Sequence, residues 1–553
     1  MAGAEAAERR HEIFHPVGAK HGMVASQEAR ATRIGVEVLR QGGNAVDAAV
    51  AVGFALAVTL PNAGNLGGGG FMLIHDAAKG ETVAIDYRGT APAAASADMF
   101  LDTAGKVDKK KARFSHHSVG VPGTVAGLAL ALERHGTWPL ARAMAPAMRL
   151  AGAGIIVDPA LARSLKRGAK RLGRWPASRA IFLDGEGRPW PAGAKLRQGD
   201  LARSLRAIAA EGPKAFYEGW IADGIAAEMA ANGGPMTKAD LAAYRAVVRA
   251  PVTGSYRGYE IRSMPPPSSG GVHLVQILNL LEGYPLGQLG AGGAESIHLM
   301  AEAMKLAYAD RSQHLGDPDH WRVPIRGLTS KAYAAALAEG IDPSRARPAT
   351  EIAPGKPQPY ESAQTTHFSV MDGAGNVVSN TTTLNFGYGT GIVAAGTGIL
   401  LNNEMDDFSA KPGVPNAYGL VGGAANAIAA GKRPLSSMTP TILFRDGKPW
   451  LATGSPGGSR IITTVLQVIL NMVDHEMNIA AATAAPRVHH QWLPDEIRIE
   501  TGISPDTVRL LEAKGHKVVV KRAMGSTQSI VATANGFEGA SDPRRPGALT
   551  LGY

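Results

Sequence analysis

The chain has 553 residues, 45% apolar and 19% charged, with 68 glycines, no cysteine and a net charge of +10. That length allows several domains or one large layered one, and the composition excludes a disordered chain. The absence of cysteine excludes disulfides, thiolate nucleophiles and cysteine-held zinc together, and suits an oxidising compartment.

Residues Met1 to Arg10 are polar and hold no apolar core, so no secretory signal stands in the chain as written. Ser26 precedes a helical pattern that ends at Gly42-Gly43, and Asn44 caps a second helix running to about Leu60. Its apolar run from Ala48 is too short to span a bilayer, and reads as a buried helix. Asn62 to Gly70 is a glycine loop, followed by the strand-like Phe71 to Ile74. Thr82 to Tyr87 is a second strand, with Arg88 just past its end. Residues 120–250 read mainly as amphipathic helices. Met264-Pro265-Pro266-Pro267 excludes a helix interior there, and 272–283 and 295–313 are helical again. Asp342 to Ser362, rich in proline and poor in apolar residues, reads as an exposed linker before a strand-rich remainder.

The positive charge sits almost entirely on residues 1–364, with clusters at Lys106 to Arg113 and Arg163 to Arg174. No aromatic residues are interleaved to stack bases, which favours a solvated face over a nucleic-acid surface. His116-His117 and His489-His490 project their rings differently and lack a carboxylate at ligand spacing, so structural or surface roles fit them better than metal binding.

Past the linker, His367 to Asp372 alternates, Asp372 to Asn376 is turn chemistry, and Val377 to Leu384 is β-branched. A hairpin pairing Met371 with Val377 sets Thr365 opposite Thr383, with Asn385 two residues on. Thr441 to Phe444 and Trp450 to Gly454 flank the turn Asp446-Gly447 and make a second hairpin. It runs into Ser455-Pro456-Gly457-Gly458-Ser459, with a helical pattern from Arg460. Two glycine N–H groups there suit a developing oxyanion, and an ordinary tight turn has the same spacing. The acidic run Asn402 to Asp407 fits a cation site, recognition of an amine, or a solvated loop. Arg433 and Ser436-Ser437 are equally ambiguous alone.

Taken together, these segments resemble the γ-glutamyltranspeptidase family of N-terminal-nucleophile hydrolases. The resemblance runs from Gly42 to Ala49 through Gly64 to Gly70, Asp86-Tyr87-Arg88, Met264 to Gly271 and Thr365-Thr366-His367, then Leu401 to Phe408, Pro434 to Met438 and Gly454 to Arg460. It implies an α/β fold, a four-layer αββα sandwich. It implies self-cleavage between Gln364 and Thr365 into a large fragment, 1–364, and a small one, 365–553, that stay together as a heterodimer. Thr365 is then the nucleophile, supported by Thr383, with Gly457 and Gly458 as oxyanion donors. Arg88, Ser436 and Ser437 hold the α-carboxylate of a γ-glutamyl group, and Asn385, Glu404 and Asp407 its α-amine. Pro412 to Gly423 is a lid whose Tyr418 closes towards Asn385.

The chemistry agrees, because a freed threonine carries an α-amine of pKa about 7.7–8.0 that serves as its own base. The implied activity is γ-glutamyl transfer and glutathione hydrolysis, through a threonine ester resolved by water or by an amino acid or peptide amine. No cofactor, metal, nucleic acid or membrane span is expected, and the location is periplasmic or secreted. The alternatives are a glutaryl-type cephalosporin acylase of the same fold and a non-catalytic peptide-binding protein. Three positions depart from the family: Gly89 replaces the usual glutamate and should loosen Arg88, Glu404 stands where some members have glutamine, and Phe386-Gly387 replaces a more polar pair.

Overall fold

A computed structural model describes residues 13–357 and 369–553. In chain order its main strands are β1 Val17–Ala19, β2 Gly22–Ser26, β3 Gly69–Asp76, β4 Glu81–Tyr87, β5 Val247–Arg249, β6 Val252–Tyr256 and β7 Tyr259–Ser263. They continue with β8 Ser369–Asp372, β9 Val377–Thr383, β10 Thr441–Arg445, β11 Lys448–Thr453, β12 Gln528–Thr533, β13 Gly536–Ser541 and β14 Leu549–Gly552. Two seven-stranded sheets result, ordered β1-β13-β12-β11-β10-β7-β6 and β14-β2-β8-β9-β3-β4-β5. Both sheets draw strands from before and after the 358–368 interval.

Alternation along the strands sorts the core into layers. Met23, Leu73, Met371, Ile442, Ala452 and Ile530 meet in one buried cluster that joins the two sheets. Their chain neighbours Val24, Met72 and Val370 face a second cluster, shared with the helices α1 Ala29–Arg40 and α2 Ala45–Thr59. Leu443, Leu451 and Val531 face a third, with α4 Gly270–Leu281, α5 Ala294–His314 and α6 Arg460–Val473. The layers are therefore αββα, as the resemblance implied. One further helix, α3 Pro159–Leu172, packs over the first outer layer.

Local signals explain the elements nearest the site. All fifteen residues of α2 are buried, and Asn44 and Asp47 form a reciprocal capping box at its start. The Asp372 carboxylate accepts the Ala45 N–H at 2.9 Å and ties the β8–β9 turn to that helix. Met371 pairs with Val377 and Val370 with Val378, the register read from the sequence. Its extension to Thr365 lies outside the described residues. Arg445 pairs with Lys448 around Asp446-Gly447, both at positive φ, as a two-residue hairpin turn requires.

The linker expectation needs correction from 342 to 357. Ala349 and Ile352 are buried, the Ala349 N–H donates to Asp495 at 2.8 Å, and the Gly355 N–H donates to Asp310 at 2.7 Å. Two buried apolar side chains and anchored amides dock a segment whose composition alone reads as free.

Candidate active site

β9 ends at Thr383, and the chain then turns sharply, with Asn385 at φ 71°. The Thr383 Oγ1 accepts the Asn385 N–H at 2.8 Å, and the Asn385 side chain donates to the Asn403 carbonyl at 2.9 Å. Beside this turn opens a cavity of about 450 Å³. Arg88, Thr383, Asn385, Asp407, Tyr418, Ser436, Ser437, Gly457 and Gly458 all line it. Nine of the residues singled out from sequence thus converge from six separate chain segments. Gln364 and Thr365 lie outside the described residues.

Arg88 stands just past β4 and is almost fully buried. Its Nη1 lies 3.2 Å from the Glu404 carboxylate, its Nη2 bonds Asp407, and its Nε donates to the Pro434 carbonyl at 3.3 Å. Burial alone would lower its pKa, but the two carboxylates outweigh it and raise it. Burial in turn raises both acids, and Arg88 opposes that rise.

Gly89 does not loosen this arrangement. A Cβ at position 89 would lie 2.7 Å from Glu404 Oε2, which instead accepts the Gly89 N–H at 3.0 Å. Glu404 thus packs against the bare backbone at 89 while its other oxygen reaches Arg88. Glu404 itself has no exposed surface and does not line the cavity. In this arrangement Glu404 stands behind Arg88, while Asp407 faces the cavity.

Asp406 follows a different course. Its carboxylate pairs with Arg113 at 3.0 Å, which gives one residue of the Lys106 to Arg113 cluster an internal role. Burial and then the neighbouring Asp407 raise its pKa to about 7.

Arg311 was not visible as a site residue in the sequence. It lies on α5, whose eighteen buried positions hide any amphipathic signal. In the structure it lines the cavity, donating from Nε to Ser269 at 2.9 Å and from Nη2 to Ser437 at 3.2 Å. Burial without a carboxylate partner among the described residues lowers its pKa to about 10. Since Ser437 Oγ accepts from Arg311, its own hydroxyl proton is free to turn towards the cavity.

Gly457 and Gly458 precede α6 with φ of 150° and 62°. Neither N–H bonds another described residue, so both remain available to an oxyanion. Tyr418 lies directly over Gly458, where a Cβ would meet its ring at 2.5 Å. Its hydroxyl donates to the Asn385 carbonyl at 3.2 Å, the residue towards which the resemblance directs it. Phe386, one of the departures, packs edge-on against the Tyr418 ring with centroids 5.8 Å apart, and so adds an apolar lid contact. His489 is buried and bonds Thr463 at 2.8 Å, a structural role. The Arg163 to Arg174 run is not simply a solvated face, because Arg167 and Arg171 line the cavity rim.

Comparison with known proteins bears on this geometry. The family model described as Gamma-glutamyltranspeptidase matches residues 31–551. The chain is 60% identical over 544 residues to a glutathione hydrolase proenzyme of Escherichia coli K12, covering 98% of this chain and 93% of that one. A solved cephalosporin acylase from Bacillus halodurans superposes with a TM-score of 0.87 at 30% identity, over 97% of each chain. A Helicobacter pylori gamma-glutamyltranspeptidase chain, matched over 99% of its length, covers 63% of this chain with a TM-score of 0.61 and 45% identity.

Proposed function

The chain belongs to the gamma-glutamyltranspeptidase family and is a γ-glutamyltransferase and glutathione hydrolase; on that premise we propose how its residues divide the work. Thr365 is the nucleophile. In the precursor its hydroxyl attacks the Gln364 carbonyl, and the Gln364–Thr365 amide becomes an ester that water hydrolyses. The fragments 1–364 and 365–553 then stay together as a heterodimer, since each contributes strands to both sheets.

The freed α-amine of Thr365 takes the hydroxyl proton as the oxygen attacks the γ-carbonyl of a glutathione-like donor. The Gly457 and Gly458 N–H groups hold the oxyanion. The C–N bond breaks, the amine leaves with the proton, and a γ-glutamyl ester remains on Thr365. Water or the amine of an amino acid or peptide then attacks that ester and restores the threonine. Arg88, Ser436 and Ser437 receive the α-carboxylate, with Arg311 adding its charge through Ser437. Asp407 and Asn385 receive the α-amine. Thr383 fixes the turn that carries Asn385, and Tyr418 covers the ester.

One observation carries this reading: a single cavity gathers an arginine, an acid, two serines and two glycine amides at the end of the strand whose hairpin partner begins four residues after Thr365. N-terminal sequencing of the smaller fragment tests it. It should start at Thr365, whereas Thr365→Ala should remain one chain and lose about 10⁴-fold or more of γ-glutamyl anilide turnover. A fragment starting elsewhere, or an active intact variant, would sink the assignment.

The acylase likeness keeps a glutaryl amide as a second substrate to try. Asp407, facing the cavity, disfavours it, because a glutaryl group has no amine to meet that carboxylate. A periplasmic or secreted location suits a chain without cysteine. No helix among the described residues is long and apolar enough to cross a membrane.

A further inference from the structure

The basic run Arg163 to Arg174 has a place in the fold that its composition does not announce. Ser164, Arg167, Gly168 and Arg171 share one face of α3 and line the cavity. A second hollow of about 410 Å³ opens off that cavity, and Gln27, Asn62, Ser164, Arg167 and Arg545 line both. Its walls add Arg163 and Arg522. None of Arg88, Asp407, Ser436 or Ser437 lines this second hollow. It therefore lies away from Arg88, Asp407, Ser436 and Ser437, and joins the first cavity at Arg167 and Arg545.

The charges in this hollow are unbalanced. Among the described residues, none of Arg163, Arg167, Arg522 or Arg545 has a carboxylate partner. The acids nearby are already engaged. Glu28 and Asp158 lie 3.3 and 3.8 Å from Arg30, and Asp158 also caps α3. Arg544, the remaining arginine there, is held by Glu500 at 2.6 Å. Burial and then the nearby Arg167 lower the pKa of Arg545, and Asp542 only partly opposes them. Like charges held together in a concave, partly enclosed wall focus a positive potential, which an incoming anion relieves.

We propose that this arginine-lined hollow is the subsite for a peptide with a free terminal carboxylate on the far side of the scissile amide. That peptide is either the one leaving the donor or the one attacking as acceptor. The proposal rests on the γ-glutamyl transfer reading and names what that reaction exchanges. Arg167 and Arg545 stand at the junction of the two hollows and meet the carboxylate.

The test compares γ-glutamyl-cysteinylglycine with its C-terminal amide as donors, in the wild type, in Arg167→Ser/Arg545→Ser and in Arg167→Lys/Arg545→Lys. The expected preference for the carboxylate donor is about tenfold in kcat/KM, equivalent to about 1.4 kcal/mol. It should fall to near unity in the serine variant and return in the lysine variant. A second arm uses an uncharged γ-glutamyl anilide donor with glycylglycine or glycylglycinamide as acceptor. Loss of discrimination in the first arm assigns the hollow to the leaving peptide, and in the second to the acceptor. Equal discrimination by wild type and serine variant in both arms, or none in the wild type, overturns the proposal. Failure of the underlying reading is seen elsewhere, as a wild type that does not turn over the uncharged anilide at all.

Discussion

Arg88 and Arg167 line the same cavity and are treated in opposite ways. Arg88 is buried between two carboxylates and a carbonyl, with one protein oxygen beside each of its three nitrogens and N–H groups left over for a ligand. Arg167 is exposed and, like Arg163, forms no ion pair with a carboxylate among the described residues. A buried ion network gives geometry, because each member would be costly to leave alone. A cluster of cations without ion pairs among the described residues gives long-range attraction and tolerates varied ligands. Both sit where the γ-glutamyl chemistry needs them: one chemically constant group to be gripped and one variable peptide to be gathered.

The largest break in that contrast comes from Arg88→Met. It strands Glu404 and Asp407 in the interior, and should lower stability by about 3–5 kcal/mol in a denaturant titration. Adding Glu404→Gln should restore part of that, whereas serine at Arg167 should leave the midpoint nearly unmoved. An unchanged midpoint in Arg88→Met would remove the distinction between the two regions.

Arg311→Met acts on binding rather than folding. Loss of a charge-assisted bond to Ser437 should raise KM for a γ-glutamyl anilide about 10- to 100-fold. KM for a 4-aminobutyryl anilide, which lacks the α-carboxylate, should stay level. Equal losses on both substrates would make Arg311 merely structural.

Gly89→Ala sharpens the contrast at one carbon. Its Cβ falls 2.7 Å from Glu404, so a cost of about 1–3 kcal/mol is expected in the thermal or denaturant midpoint. A neutral outcome would mean that Glu404 can retreat without harm.

The last effect is a pH dependence at Asp406. Its pKa of about 7 lies above the ordinary 3.8, so between those values the folded state keeps a proton that the unfolded state has released. Stability therefore falls as pH rises through that window. Asp406→Asn should flatten the slope by a few degrees of Tm, and an unchanged slope would place the titration elsewhere.

The sequence by itself determined the strand periods, the hairpin at Asp372 to Asn376, the cap at Asn44, the glycine pair before a helix and the motifs that reveal the family. These are local: a turn, a cap or an alternation is set by residues a few positions apart. Three things were decided only by tertiary structure. Glu404 stands behind Arg88 and accepts from the bare backbone of Gly89, 315 residues away in the chain. Arg311, hidden on a helix buried nearly all round, reaches Ser437 across 126 residues. The basic face of α3 became a cavity wall because the fold set it beside Arg545, 378 residues downstream of Arg167 in the chain. Spacing along a chain carries no record of such distances, since long-range packing sets them.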